Sequence, residues 1–243
     1  MLFSRLLDTA RANVLAHLPS LCAICHGWGS RRVCAPCVQR HAAPVPRCHR
    51  CALQVPAGTA TCGACLTHPP PFTRAIAALD YDHPWDSLIT RFKFHAALDL
   101  TPALTALMLD AWHRSNAATP TLLLPIPLSD ARLRERGYNQ AWELARHLGR
   151  TLASATDARL LLRVKDTPHQ LAFPRDQRAG NVRAAFAVEP RRLGELRGRS
   201  VTLVDDVMTT GATVAEAART LLQAGAADIG VWVVARTPRP DDA

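Results

Sequence analysis

The chain has 243 residues, 48% of them hydrophobic, with a mean hydropathy near zero: enough for one well-buried domain and a small appendage, with no apolar stretch long enough to span a bilayer. Its formal net charge of +9 is uneven, because residues 1–70 hold seven arginines against one acid, Asp8, for a net of +6. A basic excess crowded into the smaller segment points to a polyanion such as nucleic acid, although metal-bound thiolates there would cancel much of it locally.

Within residues 1–20, Arg5, Asp8 and Arg11 alternate with Leu2, Leu6, Val14 and Leu18. This pattern fits a short amphipathic helix better than a signal peptide with its uncharged core, so the expected location is the cytoplasm. All eight cysteines follow within residues 21–68, as four Cys-x-x-Cys pairs: Cys22/Cys25, Cys34/Cys37, Cys48/Cys51 and Cys62/Cys65. Two thiolates at that spacing can turn toward one tetrahedral ion, so four pairs supply two complete sites, and an all-thiolate set without iron–sulfur spacing favours zinc. Two structural zinc ions would also stabilise a module with too little apolar content to fold alone. Disulfides are the competing reading, against which the cytoplasmic placement and the uniform spacing both weigh. Sequential pairing is preferred over crossed pairing, since loops of eight and ten residues close at lower entropic cost. His26, His41 and His49 could substitute as ligands but are not needed.

His68-Pro69-Pro70-Pro71 is a stiff spacer, and a second domain is expected over 72–243. There the pattern predicts a strand over 75–81, helices over 85–94 and 98–112, and a strand over 121–124. A basic stretch over 130–137, a long helix to about 153 and a strand near 159–164 come next. After an irregular stretch to 181, a β-α-β unit over 201–235 closes the chain. Alternation of this kind builds a parallel sheet with helices on both faces.

The last unit carries the most chemistry. Val201-Thr-Leu-Val204 reads as a buried parallel strand; Asp205 and Asp206 follow, then Val207, Met208, Thr209, Thr210, Gly211, Ala212 and Thr213; and Val214, Ala218, Leu221 and Leu222 recur at helical spacing up to a capping Gly225. A strand-to-helix turn aims free N–H groups and the positive end of the dipole outward, and Gly211 permits close approach of a phosphate. Two adjacent acids would repel a bare phosphate but can accept hydrogen bonds from vicinal ribose hydroxyls. An ordinary capped strand–turn–helix would explain either acid alone; the ordered string is harder to dismiss. The run resembles the fingerprint of the type I phosphoribosyltransferases, which bind 5-phosphoribosyl 1-pyrophosphate (PRPP). The resemblance implies that the acidic pair holds the ribose hydroxyls and the loop holds the 5′-phosphate. Met208 departs from the small or β-branched residue frequent at that place.

Two further stretches belong with it. Arg132, Arg134 and Arg136 alternate after Pro125-Ile126-Pro127; a helix would put Arg132 and Arg136 on one face and Arg134 on another, so a loose turn would present all three to a pyrophosphate better. A solvated basic helix start is the plainer alternative. Arg163 to Gln170 is polar and broken by Pro168, as a lid would be, and contains Lys165, one of only two lysines, with Lys93.

Taken together, the cysteine pairs, Arg91-Phe-Lys-Phe94, Pro125-Ile-Pro-Leu128, Arg132-Leu-Arg-Glu-Arg-Gly-Tyr-Asn-Gln140, Thr167-Pro-His-Gln170, Arg178 with Asn181-Val182, and Val204 to Thr213 resemble the ComF/GntX family in order along nearly the whole chain. The resemblance implies a double zinc ribbon before a type I phosphoribosyltransferase-like α/β domain. It further implies PRPP bound with magnesium, and a role in natural competence through uptake or handling of single-stranded DNA, with competence-machinery proteins as possible partners and no insertion into the membrane. In one reading the pocket binds PRPP or a nucleotide-like phosphate while the basic ribbons guide the strand and Phe92, Phe94 or Tyr138 stack bases. In the alternative, the protein is a catalytically active phosphoribosyltransferase in which the arginines and Lys165 stabilise departing pyrophosphate.

Overall fold

The computed structural model describes residues 19–165 and 184–238, and the chain separates into two compact units, residues 1–43 and 44–243. The division falls between the second and third cysteine pairs, so the two ribbons expected in one module over 21–68 lie in different units. The helix expected over residues 1–18 lies outside the described residues, as do Thr167 to Gln170, Arg178 and Asn181-Val182.

In the first unit, β1 (Ser20–Leu21) pairs antiparallel with β2 (Trp28–Gly29), and α1 (Ala35–His41) starts from an extended Cys34 with a proline in its first turn. The second unit opens with an antiparallel bridge between Arg47 and Gln54 and with α2 (Gly63–Thr67). Then follow β3 (Arg74–Asp80), α3 (Trp85–Phe94), α4 (Thr101–Arg114), β4 (Leu122–Pro125), α5 (Asp130–Arg136), α6 (Gln140–Leu152), β5 (Ala155–Thr156), β6 (Leu161–Arg163), β7 (Phe186–Val188), β8 (Ser200–Met208), α7 (Ala212–Gln223) and β9 (Asp228–Arg236). A five-stranded parallel sheet runs in the order β3-β9-β8-β4-β5. The strand expected near 159–164 is shorter and stands apart from it, as β6 paired antiparallel with β7.

The middles of the central strands are largely apolar because they are covered on both faces. Val201, Leu203, Val231 and Val233 join one cluster with Val214, Ala217, Ala218 and Leu221 of α7. Trp232 leaves β9 on the opposite face, where its ring lies 5.8 Å from that of Trp112 on α4. Strand β8 continues past Val204 because its pairing with β9 persists through Asp205↔Val233 to Met208↔Arg236. Asp205 and Asp206 are therefore strand residues, and strand alternation sends Asp205 toward the α7 face and Asp206 toward the α4 face.

Candidate functional site

The thiol sulfurs of Cys22, Cys25, Cys34 and Cys37 lie within 4.8 Å of one another, and so do those of Cys48, Cys51, Cys62 and Cys65. Pairing is thus sequential, the thiols are free, and His26, His41 and His49 lie outside both groups. The two knuckles repeat one geometry: Cys34 N–H donates to Cys22 Sγ at 3.4 Å and Cys62 N–H to Cys48 Sγ at 3.3 Å. Burial pushes the Cys22 and Cys48 thiols up, but backbone N–H donors outweigh it and bring them down to about 6 and about 7. Burial lifts Cys37 to about 12, with neighbouring thiols adding to it, and Cys51 to about 11. Four sulfurs so crowded cannot all ionise without a cation among them, and both groups have the donor set and spacing of a structural metal site.

The second site is a cavity of about 380 Å³ above the C-terminal ends of β4 and β8. Its walls bring together Asp205, Asp206, Met208, Thr209, Gly211, Ala212 and Thr213 with Arg132, Arg136 and Lys93. Gly211 has φ +83°, a left-handed conformation that opens helix α7, whose first turn holds no acid. Ser129 caps α5, its hydroxyl accepting from Arg132 N–H at 3.5 Å, and Gly137 at φ +80° ends that helix. Asn139 then caps α6, accepting from Ala141 N–H at 2.9 Å, and donates through Nδ2 to the Ile126 carbonyl at 3.0 Å, which ties the start of α6 to the end of β4.

Lys93, from α3, reaches Asp206 with Nζ 3.1 Å from Oδ2. Asp206 is 1% exposed, so burial alone would raise its pKa; the Lys93 ammonium, with help from Asp205, holds it below the usual carboxylate range. Asp205 moves the other way, well above that range, through burial and the charge of its neighbour. The two acids are thus pushed apart: the Lys93 ammonium favours the charge on Asp206, while burial and that neighbouring charge oppose it on Asp205. Burial also lowers Arg136, whose guanidinium donates to Gln140 and sits 5.0 Å from the ring centre of Phe94.

Three expected site residues are absent from the cavity wall. Arg134 is exposed and outside it, because residues 130–136 form a helix that puts Arg132 and Arg136 on one face, not the loose turn that would present all three. Thr210 is exposed and spends its hydroxyl on Ala212 N–H at 3.3 Å. Lys165 is exposed, and its neighbour Arg163 lines the cavity instead. Of the aromatics considered for stacking, Phe92 is fully buried and Tyr138 donates its hydroxyl to the Phe92 carbonyl, leaving Phe94, 53% exposed, at the wall. Lys93 is the residue that sequence reasoning undervalued. It lies four places after Ile89 on a helix whose buried stripe is Trp85, Leu88, Ile89 and Phe92, and a lysine beside such a stripe calls for an anionic partner.

Residues 136–242 match the phosphoribosyl transferase domain family. Over 230 residues the chain is 34% identical to the DNA utilization protein YhgH of Salmonella typhimurium, covering 90% of this chain and 98% of that protein. It is 32% identical over 208 residues to competence protein F of Haemophilus influenzae, covering 84% and 90% of the two chains. Against competence protein ComFC of Bacillus subtilis the identity is 27% over 158 residues, covering 65% and 62%. Among the described residues no helix is long and apolar enough to cross a membrane.

Proposed function

The chain belongs to the ComF/GntX family, and from that membership we propose that its phosphoribosyltransferase domain binds PRPP or a nucleotide-like 5′-phosphate while the protein handles single-stranded DNA in natural competence. The observation that carries the ligand is the convergence of Asp205, the Lys93–Asp206 pair, the 208–213 turn and two arginines on one cavity. The 5′-phosphate sits at the start of α7, where backbone N–H groups and the Thr213 hydroxyl donate and Gly211 allows close approach. Asp205 accepts from the ribose hydroxyls. Asp206 keeps Lys93 in place, so the lysine, Arg132 and Arg136 together face the pyrophosphate with three positive charges. Magnesium fits the hard oxygen donors here: Asp205 would hold it, and it would supply neutralisation of the pyrophosphate charge. Zinc fits the two all-thiolate groups.

Three things support the DNA half of the reading: the names of the relatives, the net +6 over residues 1–70, and Trp28, whose indole is 76% exposed on β2. Arginines of that segment meet phosphates and the indole takes a base, in the cytoplasm, where competence-machinery proteins would be the partners.

Calorimetric titration with PRPP and magnesium is expected to give one site per chain, abolished in the Asp205→Ala, Asp206→Ala variant. Undiminished binding by that variant would remove the assignment. Pyrophosphate release on adding a panel of bases would turn the binding protein into a transferase; no release leaves it a binder.

A further inference from the structure

Arg236 ends β9 after the apolar run Ile229 to Ala235 and is 5% exposed. Its guanidinium is held by backbone carbonyls from two distant places. Nε donates to the carbonyl of Cys51 at 2.9 Å; Nη1 donates to Met208 at 2.9 Å, to Thr237 at 3.0 Å and to Thr209. Cys51 is one of the four thiols of the second cluster, and Met208 and Thr209 open the turn that leads to α7. One buried side chain thus touches both the thiolate knuckle and the turn.

The knuckle at this point is held by its own backbone bonds and by the sheet. Ala52 N–H donates to Cys48 at 2.8 Å, and Ala52 takes φ +57°, a conformation that a non-glycine residue keeps only when its surroundings impose it. Ala52 is also fully buried, in the core cluster that contains Met208. His49 accepts from Ala75 N–H at 2.9 Å, which fixes the other end of the knuckle to edge strand β3. The four sulfurs have the donor set for a tetrahedral ion, and that ion would hold Cys51 in the position from which its carbonyl meets Arg236. Loss of the ion frees residues 51 and 52 to relax. A buried guanidinium that loses one carbonyl must move to find another acceptor, and the carbonyls of Met208 and Thr209 then lose their shared donor.

We propose that Arg236 is a positioning residue through which metal occupancy of the Cys48/Cys51/Cys62/Cys65 cluster and anion binding at the 208–213 turn stabilise one another. The inference rests on the reading of that turn as a phosphate cradle. Linkage makes the effect reciprocal: whatever factor the ion adds to anion affinity, the anion adds to metal affinity.

Amide hydrogen exchange on the full-length, zinc-loaded protein tests it in one experiment, with a zinc-selective chelator added and the α1, α2 and 208–213 segments followed separately. Exchange of the turn is expected to rise in step with α2, the helix of the second cluster, and PRPP with magnesium should slow loss of α2 protection about tenfold, within the usual range of coupling. Arg236→Lys keeps the charge but not the fork; its turn should exchange fast even when zinc-loaded, and PRPP should no longer protect α2. A turn that stays protected while α2 opens, or an Arg236→Lys variant indistinguishable from wild type, overturns the coupling. If the turn follows α2 but PRPP changes nothing, the mechanical link stands and the phosphate reading fails.

Discussion

The two thiolate clusters share spacing, pairing and the N–H to sulfur bonds of their knuckles, yet they sit in different kinds of structure. Around Cys22, Cys25, Cys34 and Cys37, Val33 is the one buried aliphatic side chain of residues 19–43, and Cys25 itself is exposed. Around Cys48, Cys51, Cys62 and Cys65, Cys48 is fully buried, Val55 packs on the sulfurs, and the knuckle bonds to β3 and β9 of the sheet. One motif therefore serves two ends. In the first unit a metal ion would stand in for a core; in the second it would be grafted onto a core that exists without it.

Removal of both ions is the harshest test of that contrast. A structural zinc ion contributes roughly 10–16 kcal/mol in modules of this size, so residues 19–43 are expected to unfold outright. Strands β8 and β9, buried on both faces, should keep their amide protection, and the sheet unit should still melt cooperatively. Simultaneous loss of protection in both regions, followed by hydrogen exchange during chelation, would break the comparison, because the second cluster would then be holding the sheet together.

A smaller effect probes the opposite case, stability that owes nothing to metal. Lys93→Met leaves Asp206 buried without its cation and is expected to cost about 2–4 kcal/mol, somewhat less than a fully buried severed pair because the ammonium keeps some exposure. In the wild type the depressed pKa of Asp206 contributes stability above the ordinary carboxylate range, lost as pH falls through the depressed value. In the variant burial is uncompensated and the sign reverses, so stability should improve as the pH is lowered from 8 toward 5. Urea unfolding at the two pH values checks this. Lys93→Met combined with Asp206→Asn should recover part of the loss, and zinc content should stay at the wild-type level in both variants.

The same contrast separates what the sequence made legible from what it hid. Cysteine pairing followed from loop lengths alone, helix α3 has the bounds that its apolar stripe predicts, and the turn with Gly211 lies between a strand and a helix as expected, because each depends on neighbours a few residues away. The Lys93–Asp206 pair joins residues 113 positions apart, and the Arg236 bond to Cys51 spans 185. No local pattern encodes such contacts. The prolines at 69–71 report backbone stiffness, whereas the division at residues 43 and 44 reflects contacts between residues distant in sequence, which no local pattern carries. Arg134 was a matter of period. Alternation in sequence suits a turn, but residues 130–136 form a helix, and of its three arginines only the i, i+4 pair lines the cavity, beside Glu135.

The mildest test concerns what each cluster shows to solvent. The large apolar side chain exposed beside the first is Trp28, at 76%, while the second presents Leu66 on α2, at 71%. Leu21, opposite Trp28 in the ladder, is exposed as well, at 41%, but of the three only the indole offers a π-face. Stacking on an aromatic is worth about 1–3 kcal/mol per base, so Trp28→Ala should weaken single-stranded DNA binding by that amount while Leu66→Ala changes it little. Because stacking releases no counterions, Trp28→Ala should leave the slope of log affinity against log salt unchanged, whereas Arg31→Ala should make it shallower by about one unit if that arginine meets a phosphate. Fluorescence titration of an oligonucleotide at several salt concentrations measures both. Equal losses from Trp28→Ala and Leu66→Ala would mean that the strand is held by neither indole, and the division of labour between the clusters would have to be drawn elsewhere.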